Sequence, residues 1–414
     1  METAAVMAGT GRKFFRWDMT KIKEMCFRIR RKIAVKKRFG WLCRVLPICR
    51  NKVVFDNFGG KGYGDDPKYI CEQLRRQEGL NLVWMSEHPE RDMEMIGTGV
   101  RVVRYKSFLA MYEWATAAVW VDNIKSTYRP LKRKKQFYIQ TWHSCLGLKK
   151  NEADAADKLP QSYKDRIIRD ARETDLMYSN NEFRLEKYKN RYWYDGPVIK
   201  CSVPRCAPLI HGQEAAGKHI RNRYGIAEDA GIVLYAPTFR GSNSAELCQF
   251  DRSRCLAELA EKKMCGKSRF VFLLRLHPNL SGEKVPNSGL QETDVSDYPD
   301  VTELLAAADV LISDYSGVIF DGMLAKKPVF LFTPDFEEYI KNDRGIVFTE
   351  EEMPTAFCRN EETLWNEIRS FSSEQYEERC SRFFERTGFC EDGKGDEYLA
   401  KLILEKIKEG GRYG

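Results

Sequence analysis

The sequence predicts an α/β protein made of two doubly wound domains that face each other across a cleft, preceded by a basic amphipathic N-terminal arm. Three observations carry that prediction. Short runs rich in Val, Ile, Phe and Tyr alternate with helical patterns through most of the 414 residues, which implies parallel sheets with helices on both faces. The alternation pauses in a charged stretch, 211–230, which reads as a connection, and then resumes as a second series. The charge is lopsided: residues 1–52 hold 15 Lys/Arg against 3 Asp/Glu, so a chain of net charge +8 has a body that is net negative.

Taken in order, the arm contains "MTKIKEMCFRIRRKIAVKKRFGWLCRVL" (19–46), where apolar side chains interleave with cations. Such a segment can lie on an anionic membrane surface, apolar groups in the interface and Lys/Arg toward headgroups. A helix packed on its own body is the plainer alternative, and no nucleic-acid module accompanies the charge. "KVVFDNF" (52–58) predicts the first strand, followed by the glycine-rich turn "GGKGYGDDP" and a helix over 67–77, with Asp66 as cap and Pro67 in the first turn. Strands follow at 80–86, 100–105, 117–123 and 136–142, then at "DLMYSN" (175–180) and "GPVIKCSVPR" (196–205). The second series comprises "GIVLYAPTFR" (231–240), "RFVFLLRLHP" (269–278), "DVLISDYSG" (309–317) and "KPVFLFTP" (327–334). These limits divide the chain into an arm (1–52), an N-terminal domain (53–215) and a C-terminal domain (216–414).

A hydrophobic share of 43% and a charged share of 31% suit a globular protein with a substantial core. The most apolar stretch, "FLAMYEWATAAVWV" (108–121), is short and carries Glu113, so it reads as a buried helix–strand passage and not a membrane span. The N-terminus lacks an apolar run ending in a cleavage site, which argues against export. Thirteen scattered cysteines without a CxxC pair read as reduced thiols, predicting a cytoplasmic setting.

In parallel sheets ligands bind beyond the carboxyl ends of strands, and four polar clusters fall there: Thr141-Trp142-His143, Thr238-Phe239-Arg240, Arg275-Leu276-His277 and Ser313-Asp314-Tyr315-Ser316-Gly317. Ser316 and Gly317 open a helix, where unpaired N–H groups favour phosphate. Asp314 can cap that turn, and Asp321 lies one turn further on. Arg275 and His277 share a strand face and can grip a diphosphate. His143 is either a capping histidine or a general base, and its position at a strand end favours the base. No metal-ligand spacing and no Walker loop is present, and "GGKGYG" (59–64) is a weak phosphate cradle.

"QTWHSCLGLKK", "VPR", "YAPTFR", "RLHP" and "ISDYSGVIFDGMLAKKPVFLFTPDFEEYIKNDRG", with "FGGKGYGDDPKYICEQL" before them and "EDGKGDEYLAKLI" after, occur over residues 52–405. In that order they resemble the CDP-glycerol glycerophosphotransferases, which build teichoic-acid-like polymers in bacteria. The resemblance implies a glycosyltransferase-B-like fold, no covalent enzyme intermediate, and a peripheral place on the cytoplasmic face of the cell membrane; no cofactor and no metal are expected. It implies transfer of glycerol phosphate from CDP-glycerol, or ribitol phosphate from CDP-ribitol, to a hydroxyl of a lipid-linked or capsular glycopolymer, with release of CMP. It makes His143 the base, with Thr141, Trp142, Ser144 and Cys145 lining its turn. Arg205, Thr238, Phe239, Arg275, His277, Ser316, Gly317 and Asp321 then bind the donor, His277 acting on the leaving phosphate. Two departures stand out: Ser144-Cys145-Leu146 replaces the family's usual Gly-Thr-Pro, and Ser202 and Ala207 flank the Pro204-Arg205 pair where the family usually has Gly and Asp. A nucleotide-sugar glycosyltransferase on the same fold is the competing enzyme. A non-catalytic scaffold is disfavoured by the presence of both His143 and His277.

Overall fold

Strands in the first half of the chain bury both faces. Val53 and Phe55 enter one apolar cluster while Val54 between them enters another with Trp114, Trp120 and Tyr138. That requires cover on both sides and suits an all-parallel sheet. The computed structural model describes residues 45–125, 128–238, 249–276, 292–342 and 345–412, and residues 47–414 belong to one unit. Its first sheet joins β1 (Cys49–Asp56), β2 (Asn81–Ser86), β3 (Val100–Arg104), β4 (Ala117–Asp122) and β5 (Phe137–Gln140) in the order β3-β2-β1-β4-β5, every pair parallel. A parallel pair, β6 (Met177–Ser179) and β7 (Val198–Lys200), continues from β5: Gln140 N–H donates to the Leu176 carbonyl, and Leu176 N–H to that of Tyr138.

The second sheet joins β8 (Gly231–Ala236), β9 (Phe270–Leu274), β10 (Glu292–Asp294), β11 (Val310–Ser313), β12 (Val329–Phe332) and β13 (Phe357–Cys358) in the order β10-β9-β8-β11-β12-β13, again all parallel. The strand order reverses between β1 and β4 in one sheet and between β8 and β11 in the other. Loops leaving such a point diverge and leave a crevice.

The predicted elements are present with shifted edges. The first strand runs from Cys49 to Asp56, beginning ahead of the predicted residue 52, and Lys52 within it is part of the core: its ammonium is buried on Glu113 Oε2 (2.8 Å) and Thr116 Oγ1 (2.7 Å). The first helix starts at Asp65 and ends at Arg75. The charged stretch 211–230 contains a helix, Gln213–Tyr224, closed by Gly225 in the left-handed region (φ 64°). The predicted membrane-binding arm lies, up to residue 44, outside the described residues. Among the described residues no helix is long and apolar enough to cross a membrane.

Two seams hold the halves of residues 47–414 together. At one, Lys68 pairs with Asp300 (2.8 Å) and Glu303 (2.6 Å), and Tyr69 donates to Asp300 (2.7 Å). Gly64 passes so near that a Cβ there would sit 2.8 Å from the Pro299 carbonyl, so the glycine-rich turn serves close packing. At the other, the chain after His143 is strapped to the chain beyond β12: Lys150 N–H donates to the Gly345 carbonyl (3.1 Å) and Val347 N–H to that of Leu148 (2.8 Å). The last helix, Gly395–Arg412, returns to pack on the helix Asp65–Arg75. Gln73 donates to Asp396 there (2.6 Å), and Leu399 and Ile403 are fully buried.

Candidate active site

β5 stops because its next residues turn sharply. Thr141 still bonds back to the sheet through the Asp122 carbonyl (3.0 Å), but Trp142 takes a left-handed backbone (φ 59°), a conformation costly for an aromatic residue. The Gln140 side chain supports the turn by accepting the Trp142 N–H (2.9 Å). The reversal sends the Trp142 indole inward against Tyr192, with centroids 5.1 Å apart, into a cluster with Tyr188 and Tyr194. His143 is sent outward, exposed.

The imidazole is not loose. It stacks on Trp142 (4.4 Å between centroids, 25° between planes) and meets Phe58 at 5.4 Å. Its Nδ1–H donates to the Asn123 carbonyl at 3.0 Å. A carbonyl can only accept, so this bond puts the proton of the neutral ring on Nδ1 and leaves Nε2 as the basic atom. Crowding by protein lowers the His143 pKa from its usual value, while the Asn123 carbonyl and Asp65 pull it up and Arg205 and Arg184 push it down. In its neutral form the ring can take a proton at Nε2.

The residues after His143 are held from below. Arg184 reaches Ser144 Oγ (3.1 Å) and the Tyr192 hydroxyl (2.6 Å), and Asn181 donates to the Cys145 carbonyl (2.9 Å). Cys145 is buried with its sulfur 3.2 Å from that of Cys206. Burial pushes both thiols up.

Arg205 lies at the centre, 3% exposed. Its Nη1 donates to Asp65 (3.0 Å), its Nη2 to Asp321 (3.3 Å) and toward the Cys145 sulfur (3.4 Å), and its main-chain N–H to Asp66 (2.9 Å). Arg205 and Asp321, both expected on the donor side, face each other beneath the turn, where a buried guanidinium requires buried carboxylates.

The second sheet brings its own turns to the same place. Thr238 N–H donates to both carboxylate oxygens of Asp314 (3.1 and 2.9 Å), joining the ends of β8 and β11. Ser316 and Gly317 precede the short helix Val318–Leu324, as the sequence predicts. A Cβ on Gly317 would lie 3.0 Å from the Leu146 carbonyl and 3.0 Å from Ser144 Cβ, so the Ser316-Gly317 turn touches the turn that carries His143. Arg275 lies further along: its main chain bonds to Tyr235 (2.9 Å) and its guanidinium donates to the Tyr298 carbonyl. His277, Phe239 and Arg240 lie outside the described residues.

Thus the structure joins Thr141–Cys145, Arg205, Ser316, Gly317 and Asp321 in one contact network and places Thr238 at the neighbouring strand end. Sequence reading missed Phe58, Asp65, Asn123 and Arg184. Asp66, the expected cap, lies inside the helix that begins at Asp65 and instead accepts the Arg205 N–H and the Tyr178 hydroxyl.

The chain belongs to the CDP-Glycerol:Poly(glycerophosphate) glycerophosphotransferase family, whose model matches residues 40–405. It is 30% identical over 378 residues to a teichoic acid poly(glycerol phosphate) polymerase of Staphylococcus epidermidis, covering 86% of this chain and 51% of that one. The chain thus spans about half the length of that relative. It is 25% identical to a teichoic acid ribitol-phosphate primase of Bacillus spizizenii, covering 89% of this chain and 95% of that one. Among solved structures it is similar to a variant of the wall teichoic acid polymerase TagF soaked with CDPG, with a TM-score of 0.78, 26% identity, and coverage of 95% of this chain and 99% of the other.

Proposed function

We propose that this protein transfers glycerol phosphate from CDP-glycerol to a hydroxyl of a lipid-linked, teichoic-acid-like acceptor and releases CMP, with His143 as general base. The observation that carries the reading is the His143 imidazole, with Nδ1 bound to a main-chain carbonyl on a turn in contact with Ser316-Gly317. The acceptor oxygen attacks the β-phosphorus of the donor, His143 Nε2 takes its proton as the bond forms, and the bond to the CMP oxygen breaks. Thr238, Ser316 and Gly317 hold the diphosphate with main-chain and hydroxyl groups. Arg275 and His277 offset its charge, and His277 assists the departing CMP phosphate. Phe239 lines the donor side. Thr141, Trp142, Ser144 and Cys145 shape the acceptor side. Positioning and charge stabilisation supply most of the rate in such a displacement.

In this reading residues 53–215 form the acceptor half and residues 216–414 the donor half of a glycosyltransferase-B-like pair of Rossmann-like domains facing a cleft. Residues 1–52 bring the enzyme to an anionic membrane, peripherally and on its cytoplasmic face, where a lipid-linked acceptor is found. CDP-ribitol is the second reading, supported by the likeness to a ribitol-phosphate primase. The test is to incubate purified protein and membranes with CDP-glycerol, CDP-ribitol or UDP-sugars and identify the nucleotide released. Acceptor-dependent CMP from CDP-glycerol is expected. UDP release from a UDP-sugar would overturn the reading in favour of a glycosyltransferase.

A further inference from the structure

Three residues around one imidazole adopt a backbone that side chains normally avoid. Among the described residues nine non-glycine residues have positive φ, and three of them, Phe58 (48°), Asp65 (56°) and Trp142 (59°), contact His143 or the groups that hold it. Such strain persists only where surrounding interactions outweigh it, and it gathers at functional sites. For Trp142 and Phe58 the outcome is the pair of rings around the imidazole. For Asp65 the outcome is different: the left-handed backbone points its carboxylate into the gap between Asn123 and Arg205.

The resulting chain of bonds is continuous. Arg205 Nη1 donates to Asp65 Oδ1 at 3.0 Å, and Asn123 Nδ2 donates to Asp65 Oδ2 at 2.9 Å. Asn123 Nδ2 also donates to Asn57 Oδ1 at 2.7 Å, and Asn123 Oδ1 accepts the Phe58 N–H at 2.8 Å. With both ends of its side chain held, the Asn123 peptide is fixed, and its carbonyl is the one that receives His143 Nδ1–H at 3.0 Å. Asn123 follows the last residue of β4 and has no sheet partner to fix it otherwise.

We propose that Asp65 and Asn123 are positioning residues for His143, which hold its ring with the proton on Nδ1 and Nε2 turned to the acceptor. This deepens the reading of His143 as the base and rests on it. Asp65 and Arg205 are the charged groups of this chain, and Arg184, on the opposite side of the turn, is the third charge acting on the ring.

The experiment reads the ring directly. With five histidines in the chain, the His143 imidazole nitrogens can be assigned in a 15N-labelled sample by their loss in His143→Gln. In Asp65→Gly, which suits the left-handed backbone while removing the carboxylate, the Nδ1–H form should give way to a mixture of tautomers. Turnover should fall about 10-fold or more, with KM for CDP-glycerol changed by less than about threefold. Asp65→Asn, which can still accept from Asn123, should keep the Nδ1–H form. Losing the negative charge should lower the His143 pKa and move the acid limb of the rate profile to lower pH. Should Asp65→Gly fail to fold, Asn123→Ala breaks the same chain from its other end and is read in the same way. An unchanged tautomer and pKa in a folded Asp65→Gly or Asn123→Ala protein overturns the proposal whatever the activity does. A changed tautomer with full activity upholds the positioning and overturns His143 as the base.

Discussion

The two switch points of this molecule differ in how many charged side chains they bury. Beneath the His143 turn, the first sheet ends in buried charge. Asp56 and Asp122 lie side by side on β1 and β4, and Arg129 joins Asp122 (2.8 Å) and Asp170 while stacking over the Tyr138 ring at 4.2 Å. At the matching point of the second sheet, β8 and β11 end in Ala236 and Ser313, linked by a hydroxyl-to-carbonyl bond of 2.6 Å. The first side pairs buried charged side chains with one another beneath the turn that carries the ring. The other ends its strands in small residues, places one buried carboxylate, Asp314, just beyond them, and offers a turn of backbone and hydroxyl groups. A base must be held in one orientation, whereas a phosphate is met by several N–H and O–H groups that need only converge.

If the first side is the side of chemistry, His143→Ala should cost the most. Turnover should fall by about 10²–10⁴-fold with CDP-glycerol affinity nearly unchanged, as single-turnover assays and calorimetry would report. Near-normal turnover would break the comparison outright. Arg205→Ala should act next, and on stability: it strands Asp65 and Asp321 in a buried site, and losing one partner of a buried pair costs about 3–5 kcal/mol. Urea unfolding measures that, and a loss confined to donor affinity would instead move Arg205 to the donor side. Arg275→Ala tests the second side. A charge-assisted contact contributes about 1.5–3 kcal/mol, so donor affinity should fall by one to two decades in a protein that still folds.

The smallest effect sharpens the comparison through pH. Burial pushes the Asp56 carboxyl up to about 7. An acid with a raised folded-state pKa binds its proton more tightly when folded, so its contribution to stability is complete below its unfolded pKa. That contribution is lost as pH rises through about 7. Unfolding midpoints should therefore drop between about pH 4 and 7, and Asp56→Asn should flatten that drop. An equal slope in both proteins would remove Asp56 from the account.

Strands and their order of appearance were legible because a strand covered on both faces is a nearly unbroken apolar run, as in Val53-Val54-Phe55 or Val310-Leu311-Ile312. His143 and the Ser316-Gly317 turn were legible because strand ends are where parallel sheets expose their polar groups. What stayed hidden is long-range pairing. Nothing local distinguishes Asp65 from a helix cap, since its guanidinium partner is 140 residues away. Nothing around Arg205 shows whether it meets a ligand or two carboxylates. Lys52 is a similar case: it belongs to a run of cations by sequence and to Glu113 by structure. Charge patterns describe a surface only after the fold has decided which charges reach it.

The return of the last helix to the first sheet has a consequence for how the protein is made. Residues that seal one side of the N-terminal half, Leu399 and Ile403 among them, leave the ribosome after everything else described above. At about 5–20 residues per second, the strands β1 to β5 wait on the order of tens of seconds for their last cover. During that wait the helix Asp65–Arg75 presents apolar surface to the cell. Until residues 395–412 are made, the early half of the nascent chain keeps an apolar face that only they cover.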